Sequence, residues 1–125
     1  MNAENRQARY ERGLETLDAI GGRAISDMLD DLADVAPEFR QQVVGWGFGE
    51  IYARDALTPR DRQLLTLAVL TTLGGSERQL ALHIELALSV GLTQDEIVEA
   101  LLHSAIYCGF PRALNAVRVA RDVFA

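Results

Sequence analysis

Cysteine is almost missing from this sequence. Cys108 stands alone, so no intrachain disulfide and no dithiol redox pair can form, and a reducing, cytoplasmic setting fits. There are only two histidines, too far apart for a metal pair, and no acid stands at ligand spacing beside His83. Long apolar runs are also lacking: nothing spans a bilayer, and the polar start Met-Asn-Ala-Glu-Asn-Arg-Gln leads into no signal-peptide core. Positive charge is in deficit. The formal net charge is −6, which argues against nucleic acid as the main ligand because phosphate binding needs a basic footprint. A local cation or two would still serve a small anion. No glycine-rich phosphate loop and no Ser/His/Asp signature is present.

What is present is apolar content at helical spacing. The chain is 49% hydrophobic over 125 residues, enough for one sizeable core and one domain, 1–125. No run alternates as a strand would. The spacing predicts a first helix over about 4–20, ending at Gly21-Gly22, and a second from about Ala24 to Ala33. Pro37 suits the first turn of a third, reaching about Arg54. Thr58-Pro59-Arg60-Asp61 reads as an N-cap, a proline at N1 and an acid at N3, opening a fourth helix that stops at Gly74-Gly75. Ser76 with Gln79 at the capping-box position opens a fifth, closed by Gly91, and Thr93 with Glu96 opens a sixth to about Cys108. Gly109-Phe110-Pro111 breaks the chain before a last helix from Arg112 to Phe124. The fold class is therefore all-α, a compact bundle of six to seven helices. The fourth and fifth helices carry few charges, so they either form the centre or meet another subunit; the apolar surplus favours the subunit contact.

On the fifth helix, Arg78, Glu85 and Ser89 share the solvent side. His83 falls opposite, near Ser76, Gln79, Leu80, Leu86, Ala87 and Val90. Two readings stand for it: a core histidine satisfied by one hydrogen bond, or a general acid/base, since imidazole titrates near neutral pH. Phe39, Val43, Trp46 and Glu50 form a stripe on the third helix. Glu50 is then either a carboxylate at the end of an aromatic face or an exposed ion pair with Arg54. Gly45, Gly47 and Gly49 cost roughly 1 kcal/mol each in an α-helix, so close approach of a backbone or a ligand is expected there. His103 shares a face with Glu96 and Glu99, a solvated or interface position. Cys108 closes a stripe with Ile97, Leu101 and Ser104 and reads as a buried structural thiol.

Several segments in order resemble the carboxymuconolactone decarboxylase family: Arg62-Gln63-Leu64-Leu65-Thr66-Leu67-Ala68, Leu82-His83, Gly91-Leu92-Thr93-Gln94-Asp95-Glu96-Ile97 and Ile106-Tyr107-Cys108-Gly109-Phe110-Pro111. Arg9-Tyr10-Glu11-Arg12-Gly13 and Gly49-Glu50-Ile51-Tyr52 are similar as well. The resemblance implies an alkylhydroperoxidase D-like helical subunit that assembles into a ring, a trimer or hexamer. It further implies a cytoplasmic decarboxylase without cofactor or metal, in the β-ketoadipate route of aromatic catabolism. Such an enzyme turns γ-carboxymuconolactone into β-ketoadipate enol-lactone and CO2. The related peroxidase branch uses a Cys-x-x-Cys pair, which here corresponds to Ser76 and Gln79, and a glutamate where Gln63 stands. Without thiolates that chemistry has no nucleophile. The site then implied has His83 delivering a proton and Glu50 tuning it. Arg62 anchors a carboxylate or forms a structural ion pair, and Ser76, Gln79, Trp46 and Cys108 lie against the carboxylated lactone. Ser76 and Gln79 are equally explained as a helix cap. Arg112 replaces the small residue usual after this proline, which points also to another lactone or cyclic acid as substrate. A non-catalytic assembly protein is the reading from another class.

Overall fold

The computed structural model describes residues 3–125, with side chains from residue 5 onward. Met1 and Asn2 of the polar start lie outside the described residues. Among those described there is no strand, and no helix is long and apolar enough to cross a membrane. The chain forms two compact units, Met1–Leu57 and Thr58–Ala125, each taken by itself below.

In the first unit, α1 (Ala3–Ile20), α2 (Arg23–Asp31) and α3 (Pro37–Gln42) lead into a π-helical segment, Val43–Ile51. The spacing predicted one α-helix from Pro37 to about Arg54. The structure keeps α geometry only to Gln42 and bonds Tyr52 N–H back to the Gly47 carbonyl, five residues earlier, at 2.9 Å. The cause is close packing on α1. A Cβ on Gly49 would lie 2.2 Å from the Arg9 carbonyl oxygen, and one on Gly13 would lie 1.9 Å from that of Val44. Two backbones therefore touch where side chains would hold them apart. The expected justification holds for Gly49; Gly45 has only ordinary contacts and Gly47 faces open space.

The wider winding also changes which residues face inward. Val44, Gly45, Phe48 and Gly49 are buried, while Phe39 and Trp46 are 70% and 56% exposed. The aromatic stripe Phe39–Val43–Trp46–Glu50 is thus not a buried face, because the 3.6-residue period that defined it stops at Gln42. Phe48 stacks on Tyr52 with ring centroids 4.5 Å apart.

In the second unit, α4 (Pro59–Leu73), α5 (Glu77–Ser89), α6 (Gln94–Cys108) and α7 (Phe110–Phe124) pack around Leu67, Leu80, Ile84, Ala87, Leu92, Ile97, Leu101, Ala116 and Ala120. Thr58 caps α4 by accepting from Asp61 N–H at 3.1 Å. Thr93 and Glu96 form the full capping box, both bonds 3.0 Å. Gly74 and Gly75 turn between α4 and α5 at φ +68° and +73°, a region open to glycine. The last helix begins at Phe110, not Arg112, because Pro111 falls in the first turn where its missing N–H costs nothing. The core residues of α5 are buried as a central helix requires. The apolar surplus lies instead on α4 (Leu65, Val69, Leu73), α6 (Leu102, Ile106) and α7 (Phe110, Leu114), all exposed.

Candidate active site

Arg78, Glu85 and Ser89 are exposed, as the spacing of α5 predicts, and His83 lies part-buried on another flank. Its polar partner comes from α4. Nδ1 stands 3.1 Å from Gln63 Oε1. An amide oxygen can only accept, so Nδ1 carries the hydrogen and Nε2 keeps its lone pair. Burial strips water from the ring and pushes its pKa down from 6.5 to about 4, leaving a neutral imidazole at pH 7. Gln63 itself is 1% exposed, and its amide nitrogen has no partner among the described residues. An unpaired buried donor is costly, and such groups commonly wait for a ligand or water.

Gln63 is a candidate that the sequence pattern does not single out, since there it marks only the missing glutamate of the peroxidase branch. A signal was there. Gln63, Leu67 and Thr71 fall at i, i+4 and i+8, and all three are buried. A core stripe that is polar at both ends is unusual.

The structure places the other candidates as follows. Ser76 precedes α5 but makes no side-chain cap bond, and Gln79 is exposed, so their capping box does not form. The reason is local. After Gly75 in the left-handed region, Ser76 sits at φ −116°, ψ 40°, away from the extended geometry with which Thr58 and Thr93 cap their helices. Arg62 is part-buried on α4, next to Gln63. Cys108 ends a stripe whose Ile97, Leu101 and Ser104 are buried as expected, but the thiol itself is only half-buried, with Sγ 3.6 Å from the Gly109 carbonyl. Trp46 belongs to the first unit and is exposed. Glu50 also belongs there: Arg12 donates to it at 3.0 Å, and Arg9 Nε lies 3.8 Å away. Arg12 ties the same place down by donating from Nε to the Gly49 carbonyl at 2.6 Å. Glu50 is therefore paired with two arginines of α1. His103 is exposed, with its ring 5.8 Å from that of Tyr107.

The sequence contains no lysine, so all twelve of its Lys+Arg cations are arginine. A Schiff base to a substrate ketone, one common way to stabilise a carbanion, is closed to this chain.

Comparison with known proteins places the chain in a family. The model of the carboxymuconolactone decarboxylase family matches residues 37–122. The 4-carboxymuconolactone decarboxylase of Acinetobacter baylyi is 33% identical over 121 residues, covering 96% of this chain and 90% of that protein. A nitrosuccinic acid decarboxylase of Metarhizium robertsii is 29% identical over 121 residues, 94% of this chain and 82% of its own. An uncharacterized 15.0 kDa protein of Paracoccus denitrificans is 29% identical over 92 residues, 73% of this chain and 69% of its own. With most of its length matched by the family model and by a relative at this identity, the chain belongs to the carboxymuconolactone decarboxylase family.

Proposed function

We propose that the protein is a decarboxylase that needs no cofactor. It converts γ-carboxymuconolactone to β-ketoadipate enol-lactone and CO2, with His83 as the proton donor. The observation that carries this reading is the His83–Gln63 pair: a neutral, part-buried imidazole whose tautomer is held by a buried amide. The names of two relatives, both decarboxylases, support it.

The chemistry matches what the chain offers. The substrate bears a carboxylate on the lactone γ-carbon, conjugated through a double bond to the lactone carbonyl. When the bond to that carboxylate breaks, its electron pair passes into the ring and gives a 2-oxyfuran dienolate. The ring is its own electron sink, which suits a chain without lysine. One proton must then be added to the α-carbon, so each turnover consumes one proton.

His83 begins neutral. A carboxylate arriving beside it favours the imidazolium, so Nε2 takes up a proton as substrate binds, while Gln63 Oε1 keeps the hydrogen on Nδ1. The loaded Nε2–H then serves the α-carbon. The unpartnered amide nitrogen of Gln63 is a donor in reserve for the developing oxyanion. Arg62, adjacent on α4, is the proposed carboxylate anchor. Exposed apolar residues of α4, α6 and α7 fit contacts between copies in a trimer or hexamer, which light scattering of the purified protein would count.

The test is turnover. Wild-type protein should release CO2 from γ-carboxymuconolactone, and His83→Gln should lose most of that rate while keeping its circular dichroism spectrum. Near-wild-type turnover by His83→Gln would remove the histidine from the mechanism. A second reading, a small nitro or cyclic acid as substrate, is favoured by the relative named for nitrosuccinic acid. A nitro group also accepts the electron pair released with CO2, so the same proton donor would serve.

A further inference from the structure

The turn between α4 and α5 and the start of α7 enclose a crevice that the steps above do not use. Thr71, the Gly74-Gly75-Ser76 turn, Glu77 and Arg112 contribute to its walls. Its volume is about 10 Å³, room for one water-sized atom and no more. It therefore suits the tip of an end group, not a ring.

Its chemistry is that of an anion site. Thr71 is 2% exposed, lines the crevice, and its hydroxyl has no partner among the described residues. α5 begins here, thirteen residues long, without a side-chain cap from Ser76, so its first-turn N–H groups lack that acceptor. Arg112 lies across the turn so closely that a Cβ on Gly74 would sit 3.1 Å from its Nε. A buried donor, a helix start and a guanidinium thus converge on one small space. Glu77 shares the rim and is exposed; its charge opposes an anion there.

We propose that this crevice is a carboxylate subsite. One carboxylate oxygen enters and accepts from the Thr71 hydroxyl and the first-turn amides of α5, while Arg112 holds the outer oxygen. The subsite rests on the decarboxylase reading and deepens it: Arg112 holds the carboxylate that is not lost. Gln63 and Thr71 stand two turns apart on one stripe of α4, about 12 Å by helical rise. The histidine anchored on Gln63 and the crevice thus lie along one seam between α4 and α5.

Binding and turnover can be read separately. The full chain, labelled with ¹⁵N, is titrated with sodium succinate, sodium sulfate and sodium chloride at matched ionic strength. Succinate should shift the Glu77 and Arg78 amides saturably. Arg112→Ala should weaken that binding about tenfold, as loss of a charge-assisted hydrogen bond implies. Arg112→Lys should fall between, Thr71→Val should weaken it about threefold, and Glu77→Gln should tighten it. Equal shifts with chloride or sulfate, or no effect of Arg112→Ala, would overturn the subsite and leave an adventitious ion only. With lactone acid as substrate, Arg112→Ala should raise KM far more than it lowers kcat. If wild type binds succinate as described but turns over no lactone acid, the functional reading falls and the subsite stands. If it turns over the acid and Arg112→Ala changes neither KM nor succinate affinity, the subsite falls alone.

Discussion

Protonating His83 should destabilise the folded chain, and the size of the effect follows from its pKa. The folded value, about 4, lies below the unfolded 6.5 because the ring is shielded from water. The unfolded chain therefore binds more protons where the pH lies between these values, so stability falls as pH falls through that window and levels off below it. Above pH 7 both states are neutral and the contribution is complete. By pH 5 about 2 kcal/mol of it should be gone, and at most about 3 kcal/mol is lost below pH 4. Urea unfolding at pH 7.5 and pH 5.0 reads this directly, as a midpoint shift on the order of 1 M. Carboxylates titrate over part of the same range, so the comparison is with His83→Gln, which cannot charge. The variant should lose about 2 kcal/mol less than wild type between the two pH values. An equal pH dependence in both would show that the imidazole is not desolvated, and the argument for a neutral resting histidine would fail.

Other outcomes follow from the same geometry. Gln63→Glu places a carboxylate beside the imidazole, so the His83 pKa should rise from about 4 toward or above 6.5 in an NMR titration; no rise would mean that the two side chains do not meet in solution. If His83 must be protonated to act, log kcat/KM should fall by about one per pH unit from pH 5.5 to 8.5, with the kcat profile displaced to higher pH by the bound carboxylate. A flat kcat/KM profile would exclude it as the donor. Gly49→Ala should destabilise by about 1–3 kcal/mol in thermal or urea unfolding, because its Cβ would meet the Arg9 carbonyl. Gly47→Ala, facing open space, should stay within about 1 kcal/mol of wild type.

Local signals in the sequence carried most of the helices. Thr58 and Thr93 act as caps because they themselves take extended backbone and are followed by uninterrupted α-helix. Ser76 shows the same residue preference but follows two left-handed glycines, and a tertiary turn overrode its capping tendency. The π segment was hidden for a related reason. Periodicity assumes 3.6 residues per turn; the glycines of Val43–Ile51 announce a close approach, but not that the approaching backbone is α1 or that the winding changes. The site was half legible. Spacing sets His83 apart from the solvent face of α5, but its partner lies twenty residues away on α4. A contact between helices is not written in the period of either one. Glu50 makes the opposite point: its ion pairs to Arg9 and Arg12 depend on a backbone approach through Gly13 and Gly49 that only the folded chain reveals.

In the proposed mechanism a proton held by His83 completes the loss of CO2 from a carboxylated lactone. Single-turnover reaction of the folded protein with γ-carboxymuconolactone in deuterated buffer tests it most directly. The expected products are CO2 and an enol-lactone carrying one deuterium on the α-carbon, with both lost together in His83→Gln. CO2 release without α-carbon deuteration, or undiminished deuteration by His83→Gln, would contradict it.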